Sequence, residues 1–171
     1  MPAQSPEYRK NPTDGKIARV VGAWAKDKQH YLSRYMTIFA NSMHKKWPRL
    51  VYIDLFAGPG TCVVEHTNDF YLGSPLEAVA RPFTDFIFVD KDPKAIAALT
   101  ARVTPLATGR RLTILKADCN DAVDQIAAKI PKDALAVLFL DPTNWQVTFE
   151  TVAKLVNPDL SLTSRILVAH L

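Results

Sequence analysis

Apolar residues recur along this 171-residue chain with two periods, and the switch between them divides it into elements. From Trp24 to Lys46 the positions Leu32, Tyr35, Met36, Phe39 and Met43 follow a 3.6-residue spacing, which predicts one amphipathic helix closed by Pro48. Beyond it, short apolar runs alternate with helical patterns. Leu50–Leu55, Asp85–Asp90, Arg111–Lys116, Ala134–Pro142 and Arg165–Leu171 read as strands. Ser74–Ala80, Asp92–Val103, Asn120–Ile130 and Phe149–Val156 read as helices. Ser74 is the expected N-cap of the first of these, with Pro75 in its first turn and Glu77 completing a capping box. An Asp92-Pro93 cap opens the second.

Strands alternating with helices imply right-handed βαβ units and a mainly parallel sheet. The continuous apolar runs FIFV and VLFL suit strands covered on both faces. The predicted fold is therefore a Rossmann-like, doubly wound α/β sheet in a single domain over residues 16–171. Residues 1–15 are expected as a flexible N-terminal arm. Cys62–Gly73, a long connection, is expected to form a small hairpin about Asn68-Asp69.

Composition adds limits. With 48% hydrophobic and 22% charged residues, the chain matches one globular domain with a substantial core. No apolar run approaches the roughly 20 residues of a membrane span, and the polar first residues lack the apolar segment of a secretory signal. Two cysteines are too few for a disulfide framework or a zinc cluster, so reduced thiols and a cytoplasmic location are expected. His30, His44, His66 and His170 share no metal-ligand spacing. Net charge is +4, but up to Arg49 ten Lys/Arg face three Asp/Glu, and the remainder is mildly acidic. That basic segment would suit a polyanion such as nucleic acid.

In doubly wound sheets ligands lie outside the carboxyl ends of the strands. Here each of four strand ends carries an acid: Asp54 before Gly58-Pro-Gly60, Asp90 before Lys91-Asp92, Asp118 before Cys119-Asn120, and Asp141 before Pro142. A nucleoside triphosphate loop would need a lysine and a hydroxyl after the second glycine, and Gly60 is followed by Thr-Cys-Val. A dinucleotide turn would need a third glycine opening straight into a helix; that place is Val63. S-adenosylmethionine fits what is left, since it carries no phosphate and requires close backbone approach, which glycine permits. Asp90 would accept its ribose hydroxyls, Asp118 its adenine amine, and Asp54 would orient the glycine loop or the methionine ammonium.

The segments VGAWAKDKQHYLSRYM, YIDLFAGPG, GSP, FIFVDKDP, KADCND and FLDPTNWQVTFET together resemble the class I S-adenosylmethionine-dependent methyltransferases, and more narrowly the three-Cys-motif partner protein family. The resemblance implies that Asp54, Phe56, Ala57, Gly58 and Gly60 form the first cofactor motif. It likewise gives Asp90 with Lys91 to the ribose and Asp118 with Cys119 to the adenine side. Cys119 itself is expected as a small buried residue, because no Pro-Cys pair marks a methyl-carrying thiol. Asp141 and Pro142 take the place of the motif that orients a target amine, followed by Thr143, Asn144 and Trp145 rather than proline and an aromatic ring. The resemblance also implies a cysteine-motif protein as partner and a seven-stranded sheet. This sequence reaches five of those strands, so the fold is expected as truncated after the fifth. A non-catalytic interaction module and a nucleic-acid-binding accessory domain stand as the alternative functions.

Overall fold

A computed structural model of the chain describes residues 6–141, 147–156 and 165–170. Its elements run in the order β1 Tyr8–Lys10, β2 Ile17–Val21, α1 Trp24–Met43, β3 Arg49–Asp54, β4 Thr61–Val64, β5 Phe70–Leu72 and α2 Ser74–Val79. They continue with β6 Asp85–Asp90, α3 Pro93–Val103, β7 Arg111–Lys116, α4 Val123–Ala127, β8 Ala134–Leu140, α5 Phe149–Val156 and β9 Arg165–His170.

Five strands make one parallel sheet in the order β7-β6-β3-β8-β9. The chain steps outward from β3 through β6 to β7, then returns to the other side of β3 for β8 and β9. That reversal is the mark of a Rossmann-like doubly wound fold. Because side chains alternate across a strand, β3 feeds two cores. Leu50 and Tyr52 join Leu32, Met36 and Phe39 of α1, Leu76 of α2 and Leu99 of α3 on one face. Val51 and Ile53 join Val123 and Ile126 of α4 and Leu155 of α5 on the other. Both faces are thus covered, as the unbroken apolar strands require.

A second, four-stranded sheet has the order β1-β2-β4-β5. Its β4 and β5 are the expected hairpin, antiparallel with Thr61 opposite Leu72 and Val63 opposite Phe70. From Tyr8 onward, the segment expected as a flexible arm belongs to this sheet. β1 pairs antiparallel with β2, and β2 pairs parallel with β4. Local bonds close the turn: Asn11 N–H donates to Lys16 O and Gly15 N–H to Asn11 O, each at 2.8 Å. Long-range bonds anchor it. The Tyr8 hydroxyl donates to Asp92 Oδ2 at 2.7 Å, and Asp14 pairs with Arg102 of α3.

Two capping expectations change. Gly73, not Ser74, is the N-cap of α2. Ser74 gives its hydroxyl to Asp54, and Glu77 turns to Ser33 and Arg81 instead of closing a capping box. The helix expected over Asn120–Ile130 is limited to Val123–Ala127, because Asp118 and Asn120 use their side chains to build the preceding turn. The Asp92 cap of α3 is formed as expected, with Lys94 N–H donating to Asp92 Oδ1 at 2.8 Å.

Candidate functional site

In a doubly wound sheet the ligand crevice lies at the carboxyl ends where the strand order reverses, here at β3 and β8. Asp54, Asp90 and Asp141 stand at that end of the three neighbouring strands β3, β6 and β8. Asp54, the last residue of β3, is fully buried. Its Oδ1 accepts from Phe56 N–H at 3.1 Å and its Oδ2 from the Ser74 hydroxyl at 2.6 Å. Burial pushes its carboxyl up to about 7, against the pull of those two bonds, with Asp141 and Asp90 adding repulsion.

Asp90, the last residue of β6, is half-buried and holds the glycine loop. Its Oδ2 accepts from Gly58 N–H and its Oδ1 from Asp92 N–H, both at 2.8 Å. A carboxylate has about four lone-pair positions, so two remain for a ligand's hydroxyls. Gly58 has φ +59°, and a Cβ there would meet nothing within 4 Å. The backbone beside Asp90 therefore borders open space. Gly60 differs: with φ +88°, a Cβ would stand 3.1 Å from Leu99 and 3.6 Å from Arg102. Its bareness lets the loop lie against α2 and α3, and its carbonyl accepts from Gly73 N–H at 2.8 Å. Just before Gly58, Ala57 is buried and donates to Val89 O at 3.0 Å, while Phe56 packs against the core on the α4–α5 face.

Lys91 is exposed at the rim. After β7, Asp118 Oδ1 accepts from Asn120 N–H and its side-chain amide, both at 3.0 Å. Asn120 Oδ1 in turn accepts from Thr148 N–H and the Thr151 hydroxyl, tying this loop to the start of α5. Cys119 is buried in the core, and burial followed by the neighbouring Asp118 charge raises its thiol to about 11. Burial of this kind suppresses the reactive thiolate. Beyond β8, Asp141 is ion-paired with Lys28 of α1, whose ammonium lies 4.8 Å from the Trp24 ring centre. Pro142, predicted to act with Asp141, and Trp145 lie outside the described residues.

The structure thus joins Asp54, Gly58 and Asp90 in one bonded loop, sets Asp141 across the crevice, and places Asp118 on its own turn. This arrangement coincides with a sequence match, since the family model for Conserved hypothetical protein 95 covers residues 35–170. The chain belongs to the Conserved hypothetical protein 95 family. That family is methyltransferase-like. Among solved structures, the chain is similar to protein LPL1258 of Legionella pneumophila str. Philadelphia 1, of family model DUF519. The identity is 16%, covering 68% of this chain and 55% of that one, with a TM-score of 0.49. It is also similar to a conserved hypothetical protein of Streptococcus pyogenes, at 26% identity over 64% of this chain and 59% of that one, with a TM-score of 0.45. The chain therefore spans less than two thirds of either structure. No curated protein matches it.

In this Conserved hypothetical protein 95 member, three site residues escape the sequence reading. Ser74 reads as a helix cap, Lys28 only as one charge of the basic N-terminal segment and Tyr8 as part of an arm. None carries a local signal, because each meets its acid across 20, 113 or 84 residues of chain. Two clefts lie apart from the rim, lined by none of Asp54, Gly58, Asp90 or Asp141. One of about 360 Å³, lined by Asn11, Thr61, Tyr71, Arg102 and Leu106 among others, lies behind Gly60. The other, about 190 Å³, lies between α1 and the β5–α2 segment. Among the described residues no cluster of three metal-ligating side chains occurs, and no helix is long and apolar enough to cross a membrane.

Proposed function

We propose that this protein binds S-adenosylmethionine at the crevice and transfers its methyl group to a nitrogen or oxygen acceptor. The observation that carries the reading is the Asp90–Gly58 contact. One half-buried carboxylate holds an open glycine turn and keeps lone pairs free for a ribose diol. When bound, S-adenosylmethionine supplies a methyl already activated by its sulfonium, so the chain's contribution is positioning and exclusion of water. Asp90 and Asp118 would hold the ribose and adenine, and Asp54, in its ionised form, would favour the methionine ammonium.

Asp141 would accept a hydrogen bond from the incoming amine or hydroxyl, the role that Lys28 Nζ fills in this structure. Lys28 must therefore yield for an acceptor to enter. A methyl-labelled S-adenosylmethionine assay on DNA, RNA and protein fractions tests the proposal, with a cysteine-motif partner protein, the finer reading of the resemblance, supplied in a separate arm. Incorporation that depends on Asp141 and rises in Lys28→Ala is expected.

One observation favours a second reading, a non-catalytic interaction module. The acceptor-orienting carboxylate is already satisfied internally by Lys28. Cofactor binding without incorporation in any fraction, for wild type and Lys28→Ala alike, would select it.

A further inference from the structure

The outward side of α1 is unusually apolar. Trp24, Tyr31, Tyr35 and Ile38 are 64%, 65%, 40% and 66% exposed. Their spacings of seven, four and three residues place all four within an arc of about 60° on an α-helix, along a line roughly 21 Å long. This is a heptad-like seam, distinct from the buried side formed by Leu32, Met36, Phe39 and Ala40. Flanking it on one side are Asp27 and Arg34, both exposed and neither ion-paired among the described residues. Single exposed apolar side chains need no explanation, but four in line mark an interaction surface.

We propose that this seam is a homodimer interface, with α1 of a second copy packed antiparallel against it about a two-fold axis at Tyr31. The seam is complementary to itself in that arrangement and in few others. A two-fold through Tyr31 sets Trp24 level with the second copy's Ile38, because the two lie seven residues either side of the centre. It keeps the same flank on the same side of both helices. Asp27, four residues before the centre, then faces the second copy's Arg34, three residues after it, within one helical rise of about 1.5 Å. Two symmetric ion pairs result, as an isologous interface demands. A parallel pairing would instead carry the Asp27–Arg34 flank to opposite sides of the two helices, so neither ion pair could form. The four side chains would remove roughly 500 Å² per copy, about 1,000 Å² in total, the lower limit for a specific interface. The expected dimer is therefore reversible. Trp24 also touches Lys28, so pairing would bring the second copy's Ile38 beside the Lys28–Asp141 contact.

Light scattering and sedimentation from about 1 to 200 μM test this, a range set by so small an interface. The expected result is a concentration-dependent rise to twice the 19.0 kDa chain mass. Ile38→Glu should hold the mass at one copy with an unchanged melting temperature, because the side chain is exposed. Asp27→Arg and Arg34→Asp should each weaken association by about tenfold, and the double exchange should restore it to within about threefold. A monomer throughout the range overturns the proposal. So does an Ile38→Glu variant that still doubles its mass, or a double exchange no tighter than the single ones. Binding of dT12 or U12 oligonucleotides to this face by a protein that stays monomeric would also overturn it.

Discussion

Gly58 and Gly60 share a left-handed backbone and differ in what surrounds them. A side chain at Gly58 enters open space, whereas one at Gly60 meets Leu99. Gly58→Ala should therefore cost only the backbone strain, about 1–2 kcal/mol, while weakening S-adenosylhomocysteine by tenfold or more through lost approach. Gly60→Ala should cost visibly more stability. Thermal melts and calorimetry run side by side would show this ranking, and the reverse order would place the ligand on the wrong side of the loop. Asp54 gives a pH prediction. Its folded value near 7 lies above its ordinary 3.8, so the fold retains a proton that the unfolded chain has lost. Asp54's contribution to stability should be full below about pH 4 and decline as pH rises to 7, by at most about 4 kcal/mol. Asp54→Asn should flatten that decline and leave the protein more stable than wild type at pH 8. Conversely, a ligand ammonium prefers the ionised form, so S-adenosylhomocysteine affinity should rise from pH 6 to 8 in wild type but not in Asp54→Asn.

Among elements, the second sheet depends on one side chain. Arg102 of α3 is buried and binds both Asp14 oxygens, at 2.7 and 3.0 Å, together with Ile17 O and Pro59 O. It thereby ties the N-terminal hairpin to the glycine loop, and Asp14 is held below its usual carboxylate range by that guanidinium bond. Arg102→Ala would leave Asp14 and two carbonyls without their partner, so a loss of about 3 kcal/mol is expected. Early proteolysis before Gly22 should accompany it; protection equal to wild type would contradict the account. The large sheet was legible because its strands are apolar runs bounded by acids, and α3 and α5 because their periodicity is local. The Thr61–Leu72 hairpin was legible from loop length. β1 and β2 were not, because β2 finds its partner β4 more than forty residues onward and Tyr8 and Arg102 act across the fold. Ser74 misled in the same way: it offers a good local cap, but a distant bond claims its hydroxyl.

For the whole molecule, the doubly wound sheet converts a linear series of acids into one rim. Asp54 and Asp90 end β3 and β6 and Asp141 follows β8, strands that are adjacent only because the chain reverses at β3. The sequence therefore showed which acids stand at the strand ends, whereas their mutual bonds, above all Asp90 to Gly58 and Lys28 to Asp141, required the fold. The most direct measurement is a calorimetric titration of S-adenosylhomocysteine into wild type, Asp90→Asn and Asp90→Ala, with melting curves to confirm folding. Saturable binding to wild type, weakened tenfold or more in Asp90→Ala (about 1.4 kcal/mol) and less in Asp90→Asn, is the predicted result. No saturable heat up to millimolar ligand, or equal affinity in all three proteins, would contradict the assignment of this crevice to the cofactor.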